Sequence, residues 1–241
     1  MQRAFLFLIV STMVLTACTT QPAATMAPSA VPDDPQSNDP VPSPTAGQAT
    51  EPVQAADPSG NVTTFQIVSN ESQVSYEVGE TFIDKGNVFN LAVGITKQVT
   101  GDVMIDYANP QNSTIGTITI DISQFTSDSN RRDNFIRDRF LESSKYPLAT
   151  FTPTKIEGLP ASGQEGVDYP LKITGDLTIK ETTKQVTFDA AIRLEGDTLT
   201  GTATSTILMS EFGVGPISIA GILETQDEAK LTLTFAARRS Q

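Results

Sequence analysis

The 241-residue chain has no histidine, no tryptophan and a single cysteine. Without histidine there is no Ser-His-Asp triad, no Cys-His pair and no imidazole to hold a metal. One thiol allows no internal disulfide, and zinc, copper and haem sites lose their usual donors. Positive charge is also scarce: 16 Lys and Arg stand against 28 Asp and Glu, a formal net charge of −12. That balance excludes the basic face that nucleic acid requires. It also argues against electrostatic docking of the chain as a whole on anionic lipid. No Asp/Asn/Gly loop with calcium spacing and no glycine-rich phosphate loop is present. Carboxylates are plentiful enough for a two-acid hydrolase, but they scatter over turns and polar strand faces. Asp176 and Asp189, beside apolar neighbours, fall on the outward parity. No catalytic residue and no metal site is therefore expected.

Long apolar runs are missing too. The longest, residues 4–17, follows Arg3 and is shorter than the roughly 20 residues a membrane helix needs. A positive start, an apolar core and small residues before a cut describe an export signal over residues 1–17. The run closes on Leu15-Thr16-Ala17-Cys18, which resembles the lipobox of bacterial lipoproteins. The resemblance implies acylation of Cys18 as a lipid anchor and a chain held on the cell membrane or outer membrane, its domain facing the periplasm or exterior. Thr19, rather than an aspartate, follows the cysteine, which leans toward the outer membrane in a two-membrane cell. An ordinary secretory signal with a stray cysteine is the plainer alternative.

Residues 18–62 read as a disordered linker. Nine of the 15 prolines lie between Pro22 and Pro58, among Ala, Thr, Ser, Gln and a few acids, with no Lys or Arg. Such a segment buries too little apolar surface to offset its chain entropy. Extended toward polyproline II it reaches about 130 Å.

From residue 63 to 241 the texture changes to short apolar alternations. Val74, Tyr76 and Val78 share one parity; so do Val99, Val103, Ile105 and Tyr107, and Ile118, Ile120 and Ile122. Leu171, Ile173, Leu177 and Ile179 follow, and the cleanest run is Val186, Phe188, Ala190, Ile192 and Leu194. Period 2 with turn residues between, such as Glu195-Gly196-Asp197, predicts an all-β antiparallel sandwich or barrel. One segment differs. Asn130 to Leu141 has helical spacing, Ser129 or Asn130 caps its start, and Pro147 prevents continuation. Asp133-Arg137 is expected as an i,i+4 pair on it. Residues 79–94 remain open between a long loop and a partial helix.

Three stretches carry a family likeness. Ser127-Asp128-Ser129-Asn130-Arg131-Arg132-Asp133 leads to Phe140-Leu141 and then Tyr146-Pro147-Leu148-Ala149-Thr150-Phe151. Gly175-Asp176-Leu177-Thr178-Ile179-Lys180 precedes Thr183-Lys184-Gln185-Val186, and Phe212-Gly213-Val214-Gly215 comes last. In order and spacing these resemble the signatures of the YceI-like polyisoprenoid-binding domain, over about residues 63–239. The resemblance implies a lipocalin-like, eight-stranded antiparallel barrel with one short helix. It further implies that the ligand, in place of any cofactor, is an isoprenoid lipid, a quinone or polyprenyl tail held in an elongated cavity.

A barrel of about eight strands is just wide enough for side chains or one slim ligand. Leu177, Ile179, Phe188, Ala190 and Ile192 are the expected lining, with Phe151 opposite and Phe135 or Phe140 as a lid. Among the arginines at 131, 132, 137 and 139, Arg132 is taken to meet a polar head at the mouth, since a guanidinium suits oxygen acceptors. The same apolar residues would also fill a solid core, and the chain would then be a cell-surface interaction module.

Overall fold

The computed structural model describes residues 62–240; the expected export signal, Cys18 and almost all of the linker lie outside them. The strands follow the chain as β1 (Val62–Ile67), β2 (Gln73–Phe82), β3 (Val88–Thr96), β4 (Val99–Thr100), β5 (Asp102–Asp106), β6 (Thr114–Ile115) and β7 (Ile118–Asp121). The helix α1 (Asn130–Arg139) comes next. Then come β8 (Leu148–Glu157), β9 (Asp168–Ile179), β10 (Thr182–Glu195), β11 (Thr198–Leu208), β12 (Ser218–Ile219) and β13 (Leu223–Arg239).

These segments join into longer strands. β1 continues into β2, β3 through β4 into β5, and β6 into β7; with β8, β9, β10, β11 and β13 they make eight, the two-residue β12 standing outside. Each of the eight pairs antiparallel with its sequence neighbour. The last closes on the first, β13 pairing with both β1 and β2. The result is an up-and-down ring without a long free edge. The interruptions are local: a 3₁₀ turn at Ser69–Glu71 divides β1 from β2, and Gly101 divides β4 from β5. A Cβ at Gly101 would meet the Ile118 side chain at 2.5 Å.

Residues 79–94 are neither loop nor helix. They are the β2–β3 hairpin, in register from Val74↔Thr96 to Phe82↔Val88. Polar residues disguise it, because Glu80 and Asn90 occupy inward positions. They satisfy one another there, Asn90 Nδ2 donating to Glu80 Oε1 at 2.7 Å.

The ring has two ends. One carries the β2–β3 turn, α1, the β9–β10 turn and the loop before β13; we call it the helix end. The other carries the β5–β6, β8–β9 and β10–β11 loops and the outer ends of β1 and β13. Near this second end Phe65, Val103, Leu199, Phe235 and Ala237 form a separate buried cluster.

α1 has few apolar residues, and a ten-residue helix is marginal by itself. Polar clamps hold it. Ser129 Oγ accepts from the Arg132 amide at 3.3 Å, as an N-cap should. Asp133 is buried and does not pair with Arg137. Its carboxylate accepts from the Ser127 amide at 3.0 Å and the Ser127 hydroxyl at 2.6 Å. Arg137 Nη1 instead donates to the Phe125 carbonyl at 2.7 Å, tying the helix to the segment before it.

Candidate functional site

Inward residues of a filled barrel should be buried. Here Tyr76, Ile120, Phe188, Ile192, Leu231 and Leu233 point inward and pack on the core yet are only partly buried. They face unfilled space. Three largely apolar compartments of about 160, 100 and 300 Å³ follow one another, the third also bordered by Ser113, Thr114, Gln164 and Glu165 of the far loops and strand ends. β9 shows their order: Ile179 and Leu177 line the first, Leu177 and Ile173 the second, Leu171 and Tyr169 the third. Neighbouring compartments share walls. Val74, Ile120, Leu177 and Leu231 belong to the first and second; Val103, Ile115 and Ile192 belong to the second and third. The space therefore runs along the barrel from the helix end toward the far loops.

Its shape depends on which strands lack side chains. Tyr76 lies across Gly94 of the neighbouring strand, where a Cβ would sit 2.2 Å from its ring. The Tyr76 ring meets Phe125 edge-on at 5.2 Å. Phe151 likewise lies over Gly175, and its ring contacts Phe188 at 4.9 Å.

A buried ion pair stands at the helix end. Glu80 is only 3% exposed and lines the first compartment with Arg132, whose Nη2 donates to Glu80 Oε1 at 2.5 Å. Arg132 Nη1 reaches Ser127 Oγ at 3.2 Å and also pairs with Asp128. Burial works against the Arg132 cation, but its bonds to Glu80 and Asp128 and their charges prevail and hold its pKa above the ordinary arginine value. Burial also pushes the Tyr76 hydroxyl from 10.0 up to about 12; the Asp133 charge adds to this and the Arg132 charge opposes it. Outside the Glu80–Arg132 pair, a shallower depression of about 590 Å³ opens between α1, the β2–β3 turn and the loop before β13. The pair and Phe135 border both spaces and form the threshold between them.

A family model described as the YceI-like domain matches residues 65–237. The chain belongs to the YceI-like family. Protein YceI of Escherichia coli O17:K52:H18 is 35% identical over 105 residues, 43% of this chain and 50% of that protein. The chain thus spans about half the length of the E. coli relatives it matches. UPF0312 protein PputW619_0484 of Pseudomonas putida is 29% identical over 161 residues, 63% of this chain and 80% of that one. Among solved structures, Burkholderia cenocepacia BcnA superposes with a TM-score of 0.55 at 24% identity, over 70% of this chain and 98% of its own. A polyisoprenoid binding domain from Saccharophagus degradans, implicated in plant cell wall breakdown, gives 0.55 at 13% identity, over 74% and 99%. These two likenesses speak for the fold.

Within this YceI-like barrel the expected lining residues fall as follows. Leu177 and Ile179 border the first compartment, and Phe151, Phe188, Ala190 and Ile192 the second. Phe151 does not stand opposite them: it is the register partner of Leu177 on the adjacent strand. Phe135 and Arg132 lie at the helix end. Phe140 is on the wall of none of these spaces; its ring packs edge-on against Phe135 at 5.5 Å and its carbonyl accepts from Lys180 Nζ at 3.2 Å. Glu80 and Tyr76 are missing from the expected set. The alternation placed Tyr76 on the inward parity, whereas a lone acid between Gly79 and Thr81 carried no such signal.

Proposed function

We propose that this YceI-like chain binds a polyisoprenoid-type lipid, a quinone or polyprenyl tail, in the barrel interior and carries, stores or shields it outside the cytoplasm. The observation that carries this reading is the run of adjoining, largely apolar compartments along the barrel, with the buried Glu80–Arg132 pair at the helix end. A methyl-branched hydrocarbon fits such a wall, each buried methylene contributing about 0.8 kcal/mol before ordering costs. The likeness to a domain named for polyisoprenoid binding supports the same reading. Unfilled space is itself costly. At about 24 cal/mol per Å³, the 100 Å³ compartment alone forgoes about 2 kcal/mol, which a bound tail would restore. No step of this function needs a reacting group. Export and anchoring through Cys18 belong to the same proposal and rest on the sequence.

Ile192 tests the binding. It sits on the wall shared by the second and third compartments, so Ile192→Trp should block passage between them. Quinone titration of the delipidated chain should give saturable uptake and a raised melting temperature. The variant should fold yet lose at least tenfold in affinity. Equal uptake by a folded Ile192→Trp chain would remove the tail from this path.

A further inference from the structure

We infer that the helix end of the barrel is a membrane-docking surface whose occupant is an anionic lipid bilayer. Exposed apolar side chains gather there beside the threshold. Phe89 is 61% exposed, Val88 51%, Ile222 46% and Phe135 37%. Backbone pairing brings the strand residues together: Val88 pairs with Phe82, Phe82 with Leu223, and the Ile83 amide donates to the Ile222 carbonyl at 2.8 Å, while Phe135 of α1 borders the same depression as Ile222. A water-facing cluster of this kind marks a surface that meets another apolar phase.

Charge selects the phase. The whole chain carries −12, yet Lys85, Arg131 and Arg139 border the outer depression and make no ion pair among the described residues. Lys85 instead lies over the Phe82 ring, its Nζ 4.4 Å from the centroid. The acids on the same border are Asp84 and Asp138, with Glu80 already held by Arg132. Arg132 is matched by Glu80 and Asp128, which leaves, among the described residues, three unpaired cations against two unpaired acids on the rim of a strongly acidic protein. Apolar side chains ringed by unpaired cations suit the interface of an anionic bilayer, where each nearby cation is worth about 1 kcal/mol. The surface surrounds the entrance to the apolar interior, so docking would let a tail pass between bilayer and barrel without crossing water. Val62 lies at the opposite end. The expected linker, with a reach of about 130 Å, still exceeds the longest strand, whose 17 residues span roughly 55 Å.

The absence of tryptophan supplies the test. The full chain carries one reporter, Phe89→Trp, or Tyr107→Trp at the far end as control. Each is read with vesicles of phosphatidylcholine alone, with added phosphatidylglycerol, and with brominated acyl chains. The Phe89→Trp emission should shift to the blue and be quenched by brominated lipid when phosphatidylglycerol is present, while Tyr107→Trp stays unchanged. Lys85→Gln and Arg131→Gln should each lower the quenched fraction's binding constant about fivefold. An unquenched Phe89→Trp reporter, or quenching at the control position instead, overturns the assignment. So does a blue shift that grows with protein concentration without vesicles, which would place a second copy on the patch. The purpose of the surface rests on the lipid-carrier reading, and solvent extraction of the same samples separates the two. Bound prenyl lipid with an unquenched reporter overturns docking alone; quenching without any prenyl lipid upholds docking and overturns carriage.

Discussion

Tyr76 shows how one side chain joins packing to the site. Its ring closes the wall beside Gly94 and its hydroxyl stands among Asp133, Arg132 and Glu80. Burial raises the folded pKa to about 12 from 10.0, so the folded state holds its proton where the unfolded chain releases it. Stability from this group is complete below pH 10 and is lost as pH rises from 10 to 12. Urea unfolding across that window should show a loss on the order of 2 kcal/mol that is absent in Tyr76→Phe. An identical loss in the variant would mean that Tyr76 is not held neutral by the fold. At this scale the sequence was partly legible. Parity alone assigned Leu177, Ile179, Phe188, Ala190 and Ile192 to the inward face. It could not reveal that the Tyr76 ring lies over Gly94 of the next strand, because that neighbour is fixed by strand pairing rather than by local order.

The helix and the β2–β3 hairpin depend on each other through one buried contact. Arg132 and Glu80 are 15% and 3% exposed, and Glu80 has only Asn90 besides. Removing one member leaves a buried charge with half its partners, which typically costs 3–5 kcal/mol, whereas replacing both is often neutral. Arg132→Met should therefore destabilise the domain by about 3 kcal/mol, and adding Glu80→Leu should recover most of that. Chemical denaturation of the single and double variants checks it; additive losses would show that the pair does not clamp the helix. The start of this helix was readable from Ser129, a capping residue ahead of a periodic segment. The hairpin was not, because Glu80 and Asn90 break the alternation inside while Gly79, Gly86 and Gly94 dilute it. Asp133 was paired in the wrong direction. Helical spacing pointed it toward Arg137, but the half-buried Ser127 amide and hydroxyl are the partners its buried carboxylate takes.

Closure belongs to the whole molecule. β13 pairs with β1 and β2 from the other end of the chain, and nothing in a local window announces that contact. Alternation limited the answer to a sandwich or a barrel, and family resemblance selected the barrel. Twelve of the thirteen assigned segments reduce to the eight strands so implied once their short interruptions are joined, β12 standing apart. The same ring bears on why the interior stays hollow: its circumference is set by strand number, and inward glycines at 94 and 175 give their space to the Tyr76 and Phe151 rings, which lie back against the wall. How the molecule is held is a separate claim. Cys18→Ser should move it from the membrane to the soluble fraction on cell fractionation, while undiminished retention would exclude acylation as the anchor. The central claim is that the hollow carries a prenyl tail. Solvent extraction of the full chain purified from its own cells, with mass spectrometry of the extract, tests it most directly. One isoprenoid lipid per barrel is expected, lost in Ile192→Trp; extracts that repeatedly contain none, from a protein that also takes up no added quinone, would contradict a lipid-carrying hollow.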